Sequence, residues 1–361
     1  ETYERYNNMT GELKHKILDS ITQNEDEEYC FKLCDGKCPM LDDNGLCEIH
    51  KNLGEDYLGV VCKQFPRYSE YYGTIKESGI GLACEEAARI ILSENRPFSM
   101  ETAACDEEYE PSSEYDSSFA LQIFAAREAV FKILAKESLS IHEKLIVILD
   151  MGSKIQQCIN TDEYDNIKSV VNDYLKEGIA HTLDETRNLS DSGQFEDISL
   201  QQGIRQILYP YEEMEVLNPE WEVILKDIID SLFEQMSDEE YNILNEEFGT
   251  YMVSRAYEYR QLLEYLVFRY FAKSIYDYDF LGKCQMLVTN FFVIRQMDII
   301  RWLDNHREYS FKDRMDVVHI FSRQVEYSED NIENLYEDFI FDDIFKTDSL
   351  IAILWIDSEN I

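Results

Sequence analysis

The chain has 361 residues, of which 73 are acidic and 33 are basic, so its formal net charge at pH 7 is -40. A field this negative repels phosphate backbones and argues against nucleic-acid binding, whereas it favours a cationic partner such as a lysine-rich protein surface. The same charge is also typical of an acidic protein with a solvated surface. The length suggests two domains, and the 45% of apolar residues is enough for a sizeable core.

The first part of the chain is rich in cysteine. Apolar side chains at helical spacing predict one helix over residues 1–24, and an acidic break follows at 25–28. Turn-forming residues then alternate with six of the nine cysteines up to residue 84. No secretion signal is visible, so we expect a reducing, cytoplasmic location. There, a local cysteine cluster favours a metal or iron–sulfur site over disulfides or unrelated buried thiols.

The spacing of four of these cysteines suits one inorganic centre. Eight, fourteen and twenty-one residues separate Cys38, Cys47, Cys62 and Cys84. Four thiolates can hold a tetrahedral zinc ion or a four-iron cluster, and the absence of paired C-x2-C motifs favours ligands from separate loops. Cys30 and Cys34 precede Cys38 with the spacing C-x3-C-x3-C, which is one residue longer than the C-x3-C-x2-C of radical-SAM enzymes.

An aromatic group follows Cys62 and has two interpretations. It surrounds Arg67 and consists of Phe65, Tyr68, Tyr71 and Tyr72. These side chains could form the wall of a small-molecule pocket or part of the core of the cysteine-rich domain, and we favour the core. A small hairpin is expected over Tyr71–Ile80, and a helix is expected to begin at Glu85.

The remainder of the chain indicates a series of helices. An acidic, Ser- and Pro-bearing linker occupies 106–118, and residues 184–203 look like a polar loop. The run Met286–Leu303 is apolar, but four polar residues interrupt it, so it predicts a buried helix rather than a membrane crossing. Apolar side chains at helical spacing predict further helices around 123–134, 145–155, 259–271, 315–325 and 332–345.

These patterns predict a mostly α fold with two domains. A small cysteine-rich, turn-rich N-terminal domain is expected over 1–105, and a helical domain over 106–361. The chain has no P-loop, no G-x-G-x-x-G after a strand and no H-E-x-x-H, so no ordinary nucleotide or zinc-protease site is indicated.

Short motifs along the chain resemble those of a known family. In chain order they are Cys38-Pro39-x-Leu41, Gly45-Leu46-Cys47-x-Ile49, Cys62-x3-Pro66-Arg67, Leu82-x-Cys84-x-Glu86-Ala87-Ala88-Arg89, Glu264-Tyr265-Leu266-Val267 with Arg269-Tyr270-Phe271, and Val317-Val318-x-Ile320-Phe321-Ser322-Arg323. This order resembles the flagellin lysine-N-methylase family, which overlaps a wider group of zinc- or iron-chelating cysteine-rich domains. The Thr2-Tyr3-Glu4-x-Tyr6 segment also resembles the family, whose members usually carry a further short cysteine cluster before it; if those cysteines are ligands, a complete centre requires them as well.

The resemblance implies methyl transfer from S-adenosylmethionine to lysine side chains of flagellin, with a 4Fe-4S cluster implicated and zinc as the alternative. Carried over by position, Cys38, Cys47, Cys62 and Cys84 are the expected metal ligands. Pro66 and Arg67 match the family's Pro-Arg pair, and Arg67 and Tyr68 are the expected cofactor-binding residues. The resemblance assigns no catalytic base. The alternative function is a non-catalytic, metal-stabilised protein that docks a basic protein partner.

Overall fold

The computed structural model describes residues 2–23, 29–34, 37–104, 116–191 and 199–359. Over these residues the fold is mostly α, as predicted, with few strands. The chain divides into two compact units, Glu1–Tyr68 and Ser69–Ile361.

The first unit contains short elements around a small apolar core. Its core residues are Tyr6, Ile17, Met40 and Ile49, each no more than 3% exposed. Strands β1 and β2 pair antiparallel, with Thr22 opposite Cys30. The elements are α1 (Thr2–Asn7), α2 (Glu12–Asp19), β1 (Ile21–Gln23), β2 (Tyr29–Phe31), α3 (Glu48–Leu53) and α4 (Val60–Gln64).

The single helix predicted for residues 1–24 is wrong in its extent. The structure has α1 and α2 there, followed by β1. The chain breaks between the helices at Gly11, whose φ of 102° is readily adopted only by glycine. Apolar periodicity continues across this break, which explains the merged prediction.

The second unit begins with a hairpin and continues as a bundle of helices. The hairpin expected over Tyr71–Ile80 is present, and its first strand starts earlier in the chain. The elements are β3 (Arg67–Tyr72, beginning in the first unit), β4 (Ile75–Ile80), α5 (Glu85–Leu92), α6 (Ser117–Leu134), α7 (Ile141–Asn160), α8 (Ile167–Asp173), α9 (Ile179–Asp191), α10 (Leu200–Glu212), α11 (Pro219–Ile228), α12 (Asp238–Met252), α13 (Ala256–Tyr270), α14 (Ser274–Asp277), α15 (Phe280–Asp304), α16 (Phe311–Val325), α17 (Glu329–Phe341) and α18 (Thr347–Glu359).

Local sequence signals set the starts of several of these helices. Ser140, Ser237 and Ser310 each form a capping box, in which the serine and the third helical residue satisfy each other's backbone N–H. Asp116 accepts hydrogen bonds from two backbone N–H groups of α6. Each such cap contributes on the order of 1 kcal/mol to helix stability.

Helix α15 is the central helix of the second unit. It packs against α7, α10, α11, α13 and α16, and nearly all of its side chains are buried. A helix whose side chains are buried around its whole circumference belongs in the interior of a large fold. The buried helix predicted over Met286–Leu303 is therefore confirmed.

A buried polar network ties α13, α15 and α16 together. Asp298 of α15 accepts hydrogen bonds from Tyr259 Oη at 2.6 Å and from Arg314 Nη1 at 2.6 Å. Arg314 also donates to Glu258 at 3.0 Å, and both members of this pair are about 1% exposed. Removing one partner of a buried ion pair costs about 3–5 kcal/mol, so this network fixes the relative positions of the three helices.

The polar loop expected over residues 184–203 also differs from the structure. Residues 184–191 and 200–203 are helical rather than loop, and 192–198 lie outside the described residues. In helix α9, Thr186 is buried and accepts a hydrogen bond from Trp355 Nε1 of α18 at 3.1 Å, a tertiary contact that local polarity does not reveal.

The predicted domain boundary after residue 105 also differs from the division into compact units, which falls after Tyr68. The hairpin and α5 belong with the helices because Arg127 of α6 donates to Glu77 of β4 at 2.6 Å and α5 packs against α13 and α16. Residues 105–115, which include Cys105, lie outside the described residues.

None of the helices in the described part of the chain is long and apolar enough to cross a membrane.

Candidate functional site

Three of the four predicted cysteine ligands lie in the first unit and are positioned by tight loops. Cys47 is the residue before α3, and its backbone forms an isolated β-bridge with Leu41 across a turn. That turn closes because Asp42 Oδ1 accepts the backbone N–H groups of Asn44 at 2.9 Å and Leu46 at 3.0 Å. Cys62 lies within α4.

Cys38 and Cys47 lie close enough to Cys62 to act on its thiol electrostatically. Cys62 is exposed as a residue, but partial desolvation raises the pKa of its thiol, and Cys38 and Cys47 raise it further as neighbouring negative charges. Burial likewise raises the pKa of Tyr6 to about 12, with contributions from Cys62 and Cys47. A tyrosine and three thiols therefore share one region of the first unit.

Tyr6 is a member of this region that sequence analysis did not single out. It is 3% exposed, and its hydroxyl donates to the backbone carbonyl of Tyr57 at 2.5 Å. Cys38 and Cys47 pack against the apolar core to which it belongs. Its only sequence signal is its place in the Thr2-Tyr3-Glu4-x-Tyr6 segment, far from the cysteines along the chain.

Cys30 and Cys34 occupy different surroundings. Cys30 lies in β2, and the backbone of Cys34 forms an isolated β-bridge with Lys37. Both cysteines are exposed. Their role stays unassigned.

The donor chemistry of the three thiols fits a soft metal ion or an iron–sulfur cluster, since thiolates are the preferred ligands of both. Their spacing in this structure does not form a coordination site. Within the ranges that the structure describes, no three His, Cys, Asp or Glu side chains are grouped so as to hold a metal ion.

Cys84, the fourth predicted ligand, lies in the second unit at the start of α5. It is the residue before the helix, in an extended conformation, and it is partly exposed. Its neighbour in this unit is Tyr327. Burial raises the pKa of Tyr327, and Glu326 and Cys84 contribute as nearby negative charges.

The buried carboxylate of Glu326 lies just after α16 and organises the side chains near Cys84. Its Oε2 accepts hydrogen bonds from Tyr265 Oη at 2.8 Å and Tyr270 Oη at 3.1 Å, and it pairs with Arg269 Nε at 3.1 Å. Tyr265 Oη in turn accepts the backbone N–H of Leu82 at 3.4 Å. The Glu326 carboxylate thus links α13 to the segment that leads into α5.

The structure brings together two helical motifs that are distant in sequence. Tyr265, Arg269 and Tyr270 come from the first, and Ser322 belongs to the second. His319 lies within the second motif, near the backbone of Ala83, and burial lowers the pKa of its ring. Sequence analysis noted the motifs but missed Glu326, because nothing local marks it as buried.

Arg67 and Tyr68, the predicted cofactor-binding residues, are the first two residues of β3. Arg67 is exposed and Tyr68 is half-buried. Neither lines the 670 Å³ cavity that the second unit contains beside the hairpin. That cavity is lined on its apolar side by Tyr71, Phe98 and Phe268.

Of the aromatic residues around Arg67, some belong to the core and others line a cavity or are exposed. Tyr72 is 1% exposed and packs edge-on against Phe124, so it belongs to the core. Tyr71 lines the cavity, whereas Phe65 is 45% exposed.

Comparison with known proteins gives one family match. The family described as FliB lysine N-methylase C-terminal domain matches residues 127–353 of this chain. This span includes α13, α16 and the Glu326 carboxylate. No solved structure matches the chain.

Individual relatives match over a shorter stretch. The chain is 37% identical over 59 residues to the flagellar biosynthetic protein FliU of Salmonella muenchen, which is 16% of this chain and 35% of that protein. It is equally similar over 59 residues to lysine-N-methylase of Salmonella typhimurium, of which the match covers 15%. The matched stretch is thus about a third or less of either relative.

Proposed function

Because the chain belongs to the family defined by the FliB lysine N-methylase C-terminal domain, we propose that it acts as a protein-lysine N-methyltransferase. The proposed methyl donor is S-adenosylmethionine, and the proposed substrate is flagellin. The observation that carries this proposal is the family match over residues 127–353, which make up most of the helical unit. The name of the Salmonella typhimurium relative, lysine-N-methylase, supports the same reaction.

The chemistry sets two requirements. A lysine amine has an ordinary pKa of about 10.4, so it is protonated at neutral pH and must lose a proton before its nitrogen can attack a methyl group. The enzyme must therefore take up the protonated side chain from water and then promote deprotonation. Buried tyrosines and a carboxylate near Cys84 offer polar groups of the kind that the first step requires.

We also propose that S-adenosylmethionine binds at the hairpin. The 670 Å³ cavity there has the size of a small-molecule site, and its aromatic side chains suit an adenine ring. Arg67 and Tyr68 stay proposed cofactor contacts. They begin the same strand, β3, that contributes Tyr71 to the cavity lining.

Cys38, Cys47, Cys62 and Cys84 stay the proposed ligands of a 4Fe-4S cluster, with zinc as the alternative. The electrostatic effect of Cys38 and Cys47 on the Cys62 thiol supports the part of these three residues in the proposal. A bound centre would supply positive charge that keeps these sulfurs ionised. The proposed location of the enzyme is the cytoplasm, where such thiols stay reduced.

Methyl incorporation tests the proposal directly. The protein, purified without oxygen, is incubated with methyl-labelled S-adenosylmethionine and purified flagellin, and labelled lysines are identified by mass spectrometry. We expect methylated lysine with the wild type and with Cys158→Ser, a control on α7, and a strong loss with Cys47→Ser.

Two results would contradict the proposal. Absence of any labelled lysine with the wild type rejects the methyltransferase activity. A bound metal together with specific flagellin binding, but without methyl transfer, would instead support the non-catalytic docking protein.

A further inference from the structure

The 670 Å³ cavity beside the hairpin has an immobilised carboxylate among its lining residues, that of Glu77 in β4. Arg127 of α6 holds this carboxylate at two points: its Nη1 donates to Oε2 at 2.6 Å, and its Nη2 donates to Oε1 at 2.5 Å. The side chain of Arg127 is 5% exposed and that of Glu77 is 13% exposed. A two-point contact of this kind fixes both the position and the plane of the carboxylate.

Two aromatic rings that line the cavity lie beside this ion pair. The guanidinium carbon of Arg127 is 5.7 Å from the centre of the Phe268 ring, and the centre of the Phe98 ring is 5.9 Å from that of Phe268. The ring of Phe131 stacks on Phe98 from α6, with 4.1 Å between the ring centres. A flat ring bound against Phe98 and Phe268 therefore lies near the Glu77 carboxylate.

The Glu77 carboxylate keeps unused capacity to accept hydrogen bonds. An ionised carboxylate has about four lone-pair sites on its two oxygens, and Arg127 occupies one site on each oxygen. Within the described ranges of the chain, no further donor to this carboxylate is found. One acceptor site on each oxygen is therefore left for a ligand in the cavity.

The pairing with Arg127 selects the kind of donor that suits these two sites. The ion pair is neutral as a whole, so a cationic ligand group would gain little there and would also meet the positive charge of Arg127. Two adjacent neutral hydroxyl groups can instead donate one hydrogen bond to each oxygen. The 2′ and 3′ hydroxyl groups of a ribose ring have this arrangement.

We propose that Glu77 binds the 2′ and 3′ hydroxyl groups of a ribonucleoside whose base lies against Phe98 and Phe268. The identity of the nucleoside rests on the proposed function: it is the adenosine part of S-adenosylmethionine. Glu77 then determines that the ligand carries ribose. Arg127 is a positioning residue, because it acts on the ligand only through the carboxylate that it holds.

Calorimetric titration of the full chain with S-adenosylhomocysteine, and with its 2′,3′-dideoxy analogue, tests this inference. The wild type should bind S-adenosylhomocysteine at least about tenfold more tightly, because the analogue lacks both donors to a charged acceptor. In Glu77→Gln this preference should fall to about threefold or less, since an amide oxygen is a weaker, uncharged acceptor. The affinity for the analogue should not change.

Two further variants separate ligand binding from folding. Glu77→Gln leaves a buried guanidinium without its partner, which destabilises the protein. Glu77→Gln combined with Arg127→Met removes both charges of the pair, so it should fold and should show the same loss of preference. Glu128→Gln, at an exposed carboxylate next to Arg127 on α6, is the matched control and should keep the wild-type preference.

Several results would reject the ribose contact. They are a wild type that binds neither ligand, a wild type that binds both ligands equally, and a preference that survives in both Glu77 variants. An equal loss of affinity for the two ligands in these variants rejects it too, because Glu77 would then only support the cavity wall.

Methyl transfer to flagellin measures the proposed function separately. In Glu77→Gln the KM for S-adenosylmethionine should rise about tenfold, as the loss of these hydrogen bonds requires. Methyl transfer with an unchanged KM in this variant rejects the ribose contact, while the proposed function stands. A preference for ribose that depends on Glu77, without any methyl transfer, supports the ribonucleoside site and rejects the proposed function.

Discussion

The carboxylate of Asp357 is buried among polar side chains in the second unit. It is 1% exposed, and its Oδ2 lies 2.6 Å from His142 Nε2. Asn245 donates to its other oxygen, and Arg295 lies 3.9 Å away. Burial acts to raise the pKa of Asp357, but Arg295, His142 and Asn245 outweigh it and lower the pKa to about 2.

The pKa of Asp357 predicts a specific acid sensitivity. Because the pKa is lower in the folded state than in the unfolded state, the ionised group stabilises the fold at pH values above its ordinary pKa. This contribution is lost as the pH falls from about 4 to about 2, and it amounts to about 2 kcal/mol. The difference in free energy of unfolding between the wild type and Asp357→Asn should therefore narrow over that range in urea titrations.

Asp343→Asn is the matched control for this measurement, because Asp343 is exposed. Its difference from the wild type should vary little with pH. A gap between the wild type and Asp357→Asn that stays constant down to the acid limit would show that Asp357 is not held ionised by its neighbours.

At the scale of single residues, sequence spacing predicts only some members of the candidate site. Their pattern along the chain selects Cys38, Cys47 and Cys62, and in the structure Cys38 and Cys47 lie near enough to Cys62 to raise the pKa of its thiol; that the three bind a metal stays a prediction. Tyr6 and Glu326 could not be selected in this way. Their roles depend on burial and on partners more than 50 positions away in the sequence, which no local pattern reveals.

The crossing of α7 and α15 depends on close approach at one glycine. A Cβ atom placed on Gly152 would lie 2.5 Å from Cys284 Sγ, well inside van der Waals contact. Cys284 is fully buried, so it has little room to move. These helices form one of the main packing interfaces of the second unit.

Gly152→Ala should therefore destabilise the protein, by about 1–3 kcal/mol, because the extra methyl group overpacks the crossing. Cys284→Ala removes the sulfur that the methyl group would meet. In the Cys284→Ala background, Gly152→Ala should lower the free energy of unfolding by a clearly smaller amount. Urea unfolding of the four proteins in this double-mutant cycle measures the difference. An equal cost in both backgrounds would argue against a clash between the two residues.

At the scale of elements, helices with strong periodicity were predictable and their boundaries were not. Helices α5, α13, α15 and α16 lie where apolar spacing and first-turn carboxylates indicated them. The polar segment that includes α9 was mistaken for a loop, because its helix is stabilised by a tertiary contact between Thr186 and Trp355 rather than by its own composition.

The net charge of -40 is a property of the whole molecule that bears on substrate recruitment. Long-range attraction between a negative protein and a lysine-bearing surface increases the rate of encounter, and salt screens it over a Debye length of about 10 Å at 0.1 M ionic strength. Under the proposed function, kcat/KM for flagellin should fall several-fold as salt is raised.

A short peptide with a single lysine is the control, because its lower charge should give a weaker dependence on salt. If kcat/KM for intact flagellin does not change with salt, long-range electrostatic attraction does not contribute to substrate recruitment.

Under the proposed function, Cys38, Cys47 and Cys62 contribute ligands to an inorganic centre on which methyl transfer depends. The most direct measurement is the iron, sulfide and zinc content of the full-length protein purified without oxygen, with its visible absorption spectrum. We expect a stoichiometric amount of metal in the wild type and in Cys158→Ser. The metal should be lost in Cys38→Ser, Cys47→Ser and Cys62→Ser. A metal-free wild type that methylates flagellin at full rate would contradict this dependence.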